Sequence, residues 1–338
     1  MIRVCRTNLS WGSVLLFGRF SVGTVLLGTL FLAGAVTSNS LSAQAGKNDF
    51  LNIEKYRIEG RNYYRPVKDD PLTDYSTSRF LEHIKSIPLE VAAVYGGVAV
   101  IGIAHWSWLD SGFCFKSEGW FGKNTIHGGM DKLGHAFSSA LISDLLTDRI
   151  RMTSRNPGNA ALTGAFLSAG IMSMIEVFDG FASDYGFSSE DLTADGIGIA
   201  FSYLRNTIPG LREKIDFRQE FFMPKYEKDF NFLFGYESKR FILALKLSGF
   251  EAFRDTPLRF VEIHAGYYAR GFSKQARRAG IRKRREPYIG IGINLNELFL
   301  GQARADESIL KWGARFTLEH FQAPFTSFGT GNSFYKGR

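Results

Sequence analysis

Asp131, Lys132 and His135 fall within five residues at the start of an otherwise apolar stretch, and Glu176, Asp191 and Asp195 follow in equally apolar surroundings. Charged groups are costly to bury unless they pair, ligate or react, so six of them in hydrophobic segments point to one shared polar site. Three chemistries fit these residue types. His135 with Glu176, Asp191 and Asp195 could hold a divalent metal, because one imidazole with carboxylate oxygens suits Mg, Mn, Fe or Zn. Alternatively, His135 is a general base or nucleophile held in one tautomer by a carboxylate such as Asp131, with Glu176 and Asp195 completing a catalytic set. In the third reading the charges are structural: Lys132 and His135 offset the acids, and Lys132, Asp191 and Gly198 fix how helices pack. One His with scattered acids is a less specific metal pattern than a Cys/His array.

These residues must be positioned by helices. Side chains four apart share a helical face, which aligns Asp131, His135 and Ser139 on a helix over 131–152. The same spacing aligns Ala169, Ser173 and Glu176 on a helix over 159–178, and Asp191, Asp195, Gly198 and Ser202 on one over 189–206. Narrow polar edges on apolar helices are satisfied by facing one another. Asp144 and Asp148 are spaced to share an exposed face, and the basic cluster Arg149, Arg151 and Arg155 ends the same helix. An earlier helix starts after Ser76-Thr77-Ser78, meets Pro88 and continues through the uncharged stretch 91–109. That length is close to the roughly 20 residues a bilayer span needs, with Trp106 and Trp108 at the end where interfacial aromatics belong. A buried helix reads the same way. His105, His127, Asp179 and Asp184 flank or lie in the connecting turns and are weaker site candidates.

The remaining chain sets the context. Residues 1–21 carry Arg3, Arg6 and Arg19 and no acid, an apolar run covers 22–36, and Ala43-Gln44-Ala45 fits a cleavage rule, so 1–45 reads as a signal peptide. No Cys follows that run, which argues against a lipid-anchor route. Cys5 would leave with the signal and Cys114 would stand alone, so no disulfide framework is expected in the mature chain. Cleavage would lower the formal charge from +8 to +5. A mild basic excess outside the cytoplasm suits membrane lipid or another envelope component, and no nucleic-acid module is present. At 45% hydrophobic with 31 Phe, the chain has ample core material.

The texture changes after Pro209-Gly210. A charged linker covers 211–229, and alternating or β-branched runs near 241–247, 260–268 and 288–294 predict an antiparallel meander of three or four strands. Residues 296–322 return to helical spacing, and 323–338 read as a loose tail. Residues 270–285 hold eight basic side chains and no acid, either a solvated hairpin loop or a site for phosphate-bearing lipid. The expected fold is mainly α, a four-helix membrane-associated bundle (76–210) after an irregular lead-in (46–75). A small β-meander and C-terminal helical segment (211–322) follow, making the chain α+β overall.

Three pieces together resemble the YfiM-like family of uncharacterised exported bacterial (lipo)proteins, more distantly the VanZ-like membrane proteins. They are Asp131-Lys132-x-x-His135 followed by Ala136-Phe137-Ser138, Glu176 with Asp179-Gly180, and Asp191-Leu-Thr-Ala-Asp195-Gly-Ile-Gly198. The resemblance covers about 120–206 and implies that Asp131, Lys132, His135, Glu176, Asp191, Asp195 and Gly198 form a shared site. It carries no established activity. The missing anchor Cys and the long C-terminal extension depart from the lipoprotein pattern, and the extension resembles longer members from Gram-negative bacteria. The function expected is that of an exported envelope protein of the periplasm or cell-envelope membrane. Its alternative is a membrane-proximal hydrolase or transferase on lipid-linked or cell-wall substrates.

Overall fold

The computed structural model describes residues 75–122, 125–222, 224, 226, 235–301 and 307–330. The expected signal peptide, all but the end of the lead-in, and residues 331–338 lie outside the described residues.

Helix α1 (Thr77–Ser86) is capped by the Ser76 hydroxyl, which accepts from the Arg79 amide. Pro88 sits at the first turn of α2 (Pro88–His105), where its missing N–H costs nothing. Helices α3 (Met130–Thr153), α4 (Ala160–Asp179) and α5 (Ser189–Thr207) follow the expected spans closely. Helix α2 stops at His105 rather than 109, because Ser107 and Leu109 take positive φ. Trp108 turns inward, stacks on Phe178 and donates from Nε1 to Asp179 at 2.6 Å, so it does not form an interfacial belt. Gly102 leaves the space that its ring fills.

Helix α3 is the centre of the bundle and is buried along nearly its whole length. Leu146 and Ile150 of α3 pack with Ile171 and Met172 of α4 and Val94 and Val98 of α2. Two glycines permit these approaches. A Cβ at Gly164 would overlap the Thr147 hydroxyl, and one at Gly198 would overlap the Ala136 carbonyl and the Ser139 hydroxyl. Ser173 points outward, so the polar edge of α4 runs instead through Ser168, whose hydroxyl donates to the Ser139 carbonyl at 2.8 Å.

The β region is larger than expected. Strands β1 (Ile215–Phe221), β2 (Lys239–Lys246), β3 (Val261–Arg270) and β4 (Arg284–Ile293) form an antiparallel meander. Helix α6 (Ile309–His320) leads into β5 (Phe321–Gln322), which pairs parallel to β1, and β6 (Ser327–Gly329) pairs with β4. The order is β5-β1-β2-β3-β4-β6. Strand β1 lies where a charged linker was expected, and β6 lies in the expected loose tail. Four residues join β5 and β6 at opposite edges of the sheet, so the sheet must curl until those edges approach. The chain is α+β, helices first.

Asp144 and Asp148 are not on an exposed face; both are buried. Asp144 pairs with Arg205 at 2.8 Å and His320 at 3.0 Å, and Asp148 pairs with Arg212 at 2.5 Å. Glu319 accepts from both arginines, and Arg205 also reaches Asp216 of β1 at 2.7 Å. The basic cluster is likewise internal in part: Arg149 pairs with Glu90, and Arg151 binds Asn206. Cys114 is buried, and Cys5, the other cysteine, lies outside the described residues.

Two outcomes follow from this packing. Gly198→Ala, which forces α3 and α5 apart, should cost about 1–3 kcal/mol in denaturant unfolding, while Gly196→Ala, in open space on the same helix, should not. Burial raises the carboxyls of Asp144, Asp216 and Glu319, but the arginines and Lys246 around them overcome it and depress all three. Depressed carboxyls stabilise the fold above their unfolded values near 4, and Asp216 falls to about 2. Stability measured against pH should therefore hold down to about pH 4 and decline as pH drops toward about 2; a flat profile across that window would contradict the network's role.

Candidate functional site

The six residues singled out by sequence meet where the first halves of α3 and α5 and the last turn of α4 come together. Asp131 lies in the first turn of α3, near the positive end of its dipole. The Ser188 hydroxyl caps α5, accepting from the Asp191 amide at 3.2 Å. The Ser188 amide donates to Glu176 Oε2 at 3.1 Å, so Glu176 holds the start of α5. Ser139 donates to the Asp195 carbonyl at 3.0 Å, fixing α5 against α3.

Two adjoining clusters result. In the first, the buried Lys132 ammonium lies 2.8 Å from Asp131, 2.6 Å from Asp191 and 3.5 Å from Glu118. Three carboxylates thus already share an internal cation, which strongly raises the affinity of Lys132 for its proton against the opposing effect of burial. Asp131, expected to orient His135, serves Lys132 instead. In the second cluster, His135 Nδ1 is 3.1 Å from Asp195 and 3.7 Å from Glu176, and Nε2 is 3.7 Å from Asp191. Ligand atoms of His135, Glu176 and Asp195 all lie within 4.8 Å of one another. Asp195 Oδ2 is buried and has no hydrogen-bond partner.

The electrostatics of the two clusters differ. Burial alone would lower the His135 pKa, but the hydrogen bond to Asp195 and the charges of Asp191, Asp195 and Glu176 lift it to about 10. Burial, with the nearby Asp191 and Asp179 charges, raises Glu176 to about 8. Asp179, buried beside Trp108, rises to about 6, and burial raises Asp195 as well. Acidic side chains outnumber basic ones here. Among the described residues, Glu118, Asp131, Glu176, Asp179, Asp191 and Asp195 face Lys132, His135 and, at the rim, Lys116 3.3 Å from Glu118.

Two participants were missed in the sequence. Glu118 comes from the loop before α3, where no periodicity marks it. Tyr236, just before β2, lies against Gly134, whose missing side chain leaves it room, and its ring centre is 4.7 Å from that of His127. Burial and the charges of Asp131, Asp191 and Glu118 hold its hydroxyl well above the ordinary range. His105 is exposed and Asp184 lies at the surface, so neither joins the site.

Residues 117–207 match a family described as predicted periplasmic lipoprotein (DUF2279). The protein is exported, to the periplasm or the cell-envelope membrane. The match begins just before Glu118 and ends with α5, so it encloses every charged residue of both clusters but not Tyr236. It also leaves out the N-terminal region, where a lipid anchor would lie. No curated protein and no solved structure matches the chain.

Lys132→Met should strand Asp131, Asp191 and Glu118 as unpaired buried acids and cost about 3–5 kcal/mol of stability. Equilibrium unfolding of this variant at neutral pH measures it, and a change below about 1 kcal/mol would show that the acids find another cation.

Proposed function

We propose that His135, Glu176 and Asp195 form a divalent-cation centre in an exported envelope protein, with Asp191 at its edge. One observation carries the reading: side chains from three helices aim ligand atoms at one point, and Asp195 Oδ2 there is buried with no partner. The neighbouring acid cluster is held by Lys132; here the ion would take the place of the proton on His135, whose pKa the surrounding carboxylates lift to about 10. An imidazole with carboxylate oxygens suits Mg, Mn, Fe or Zn, and such an ion would supply Lewis-acid chemistry. Glu176 is already oriented by the Ser188 amide, and Asp195 by its helix-to-helix contact through Ser139.

A second reading, a membrane-proximal hydrolase or transferase on lipid-linked or cell-wall substrates, is favoured by the site's geometry. The His135 side chain is 19% exposed while those of Glu176 and Asp195 are 2% exposed, which leaves one edge through which a reactant could approach. The closer kinship with YfiM-like and VanZ-like proteins belongs to the same proposal, supported by all three motif pieces falling inside the matched stretch. Membrane association of the bundle is supported by α2, an apolar helix long enough to span, whose Val100 and Ile103 are each 67% exposed.

Metal analysis of the purified protein, together with His135→Ala and Asp195→Asn, tests the centre. Expected are near-stoichiometric metal in the wild type, folded variants, and affinity for Mn or Zn lowered at least tenfold, a scale seen when ligand support is disturbed. Wild-type protein that neither carries metal nor gains thermal stability on adding it, with variants that unfold instead, would make the cluster purely structural.

A further inference from the structure

We propose that the outer face of the curled sheet docks into one leaflet of an anionic membrane, with residues 270–285 at its headgroups. This is independent of the cation centre.

The pairing register divides the sheet into two faces. Residues directly opposite in antiparallel strands lie on the same side. One side carries Asp216, Arg218, Glu220, Arg240, Glu262 and His264, all buried. Arg218 reaches Glu262 at 2.7 Å, His264 Nδ1 lies 2.8 Å from the Ser327 hydroxyl, and Arg240 pairs with Glu220 while stacking on Tyr288. These charges fill the inside of the curl. The other side is apolar: Phe217 and Phe241 cover Phe137 of α3, and beyond that contact Leu243, Ile263, Ile289, Ile291, Ile293 and Phe328 are all exposed, Ile289 at 67% and Ile291 at 56%. Strand β4 shows the inversion most plainly. Its isoleucines alternate with Gly290 and Gly292, and the glycines face inward, where a Cβ would meet Tyr288 and His264.

A sheet in water places polar groups outside and apolar ones inside. A polar interior with an apolar exterior is the pattern of sheets solvated by hydrocarbon. Exposed apolar patches of this kind mark interaction surfaces. The convex shape forced by the β5–β6 link suits fluid acyl chains, whereas two rigid convex faces meet only along a line. On this side of the four long strands the only charges are Lys239, which is buried, and Arg285, both at the end where the basic connection leaves the sheet.

Charge selects the partner. The connection from β3 to β4 exposes Lys274, Arg277, Arg278, Arg282, Lys283 and Arg284 and carries no acid. It leaves the sheet at the end of β4 opposite Ile293, about 17 Å along the strand from Ile289 at about 3.3 Å per residue. A basic segment beside an apolar face is complementary to anionic headgroups over acyl chains. The acids Glu251 and Asp255 lie in the β2–β3 connection, beyond the end of the strands.

The test uses the full chain with Ile291→Cys carrying an environment-sensitive fluorophore, and separately Ile103→Cys on α2. Vesicles of phosphatidylglycerol with phosphatidylethanolamine should blue-shift the Ile291 probe. Apparent partitioning should fall about tenfold with Ile289→Asp, with Arg277→Glu plus Arg278→Glu, or when phosphatidylcholine replaces the anionic lipid. Unchanged thermal melting would confirm that these surface variants fold. An apolar N-terminal segment holding the protein on vesicles does not by itself shift the Ile291 probe. The idea is overturned if that probe ignores vesicles, including the case in which only the Ile103 probe responds and the bundle alone is on the membrane. It is overturned equally if the shift appears without lipid and grows with protein concentration, which would make the face a contact between copies.

Discussion

Helix α3 is buried on nearly every side and yet carries Asp131, Lys132, His135, Asp144, Asp148, Arg149 and Arg151. A buried ion left alone costs several kcal/mol, so each must find a partner at short range. That requirement dictates what surrounds the helix. Helix α2 supplies Glu90 to Arg149, α5 supplies Asp191, Asp195 and Arg205, the turn after α5 supplies Arg212, and α6 supplies Glu319. Through Arg205 the network continues to Asp216 and so into β1. The bundle and the sheet are thus joined by this neutralisation as well as by the apolar contact of Met130 and Phe137 with Phe217, Phe241 and Phe321.

The two ends of α3 meet this demand differently. Around Asp144 and Asp148, two arginines and His320 surround the acids with short bonds, and Asp144 is depressed in consequence, against the opposing effect of burial. Around His135 the balance is reversed: acids outnumber cations, and Glu176, Asp179 and Asp195 are pushed up. The first arrangement is what a structural network looks like once it is satisfied. In the second, burial and acid–acid repulsion favour protonated carboxyls, so its acids are less fully paired than those at Asp144. Lys132 sits on the boundary, since it pairs with Asp131 and Asp191 and thereby holds Asp191 within reach of His135.

Helix boundaries and the meeting of His135, Glu176 and Asp195 were legible because apolar periodicity and capping serines mark them locally. The misreadings share a cause. Spacing shows that Asp144 and Asp148 lie on one face, but not that the face meets Arg205 and Arg212 rather than water. Strand β1 alternates Ile215, Phe217 with Asp216, Arg218, which reads as a charged linker when charges are assumed to face solvent. Here the charges face in. Glu118 and Tyr236 reach the site from irregular segments, where nothing but tertiary structure brings them near Asp131.

The sheet turns its charges inward, whereas the bundle keeps an apolar core of Val94, Leu146, Ile150 and Ile171 beside its buried ions. With Asp and Arg side chains occupying the interior, apolar residues such as Val100, Phe166, Ile197, Ile289 and Phe328 are left at the surface. In water that arrangement is unfavourable twice over: ions lose hydration inside while apolar side chains remain hydrated outside. Contact with hydrocarbon would remove the second cost, and the dense ion pairing already limits the first. The proposed docking of the sheet and the proposed cation centre therefore rest on separate features, the apolar outer residues Ile289 and Ile291 and the buried carboxylates around His135.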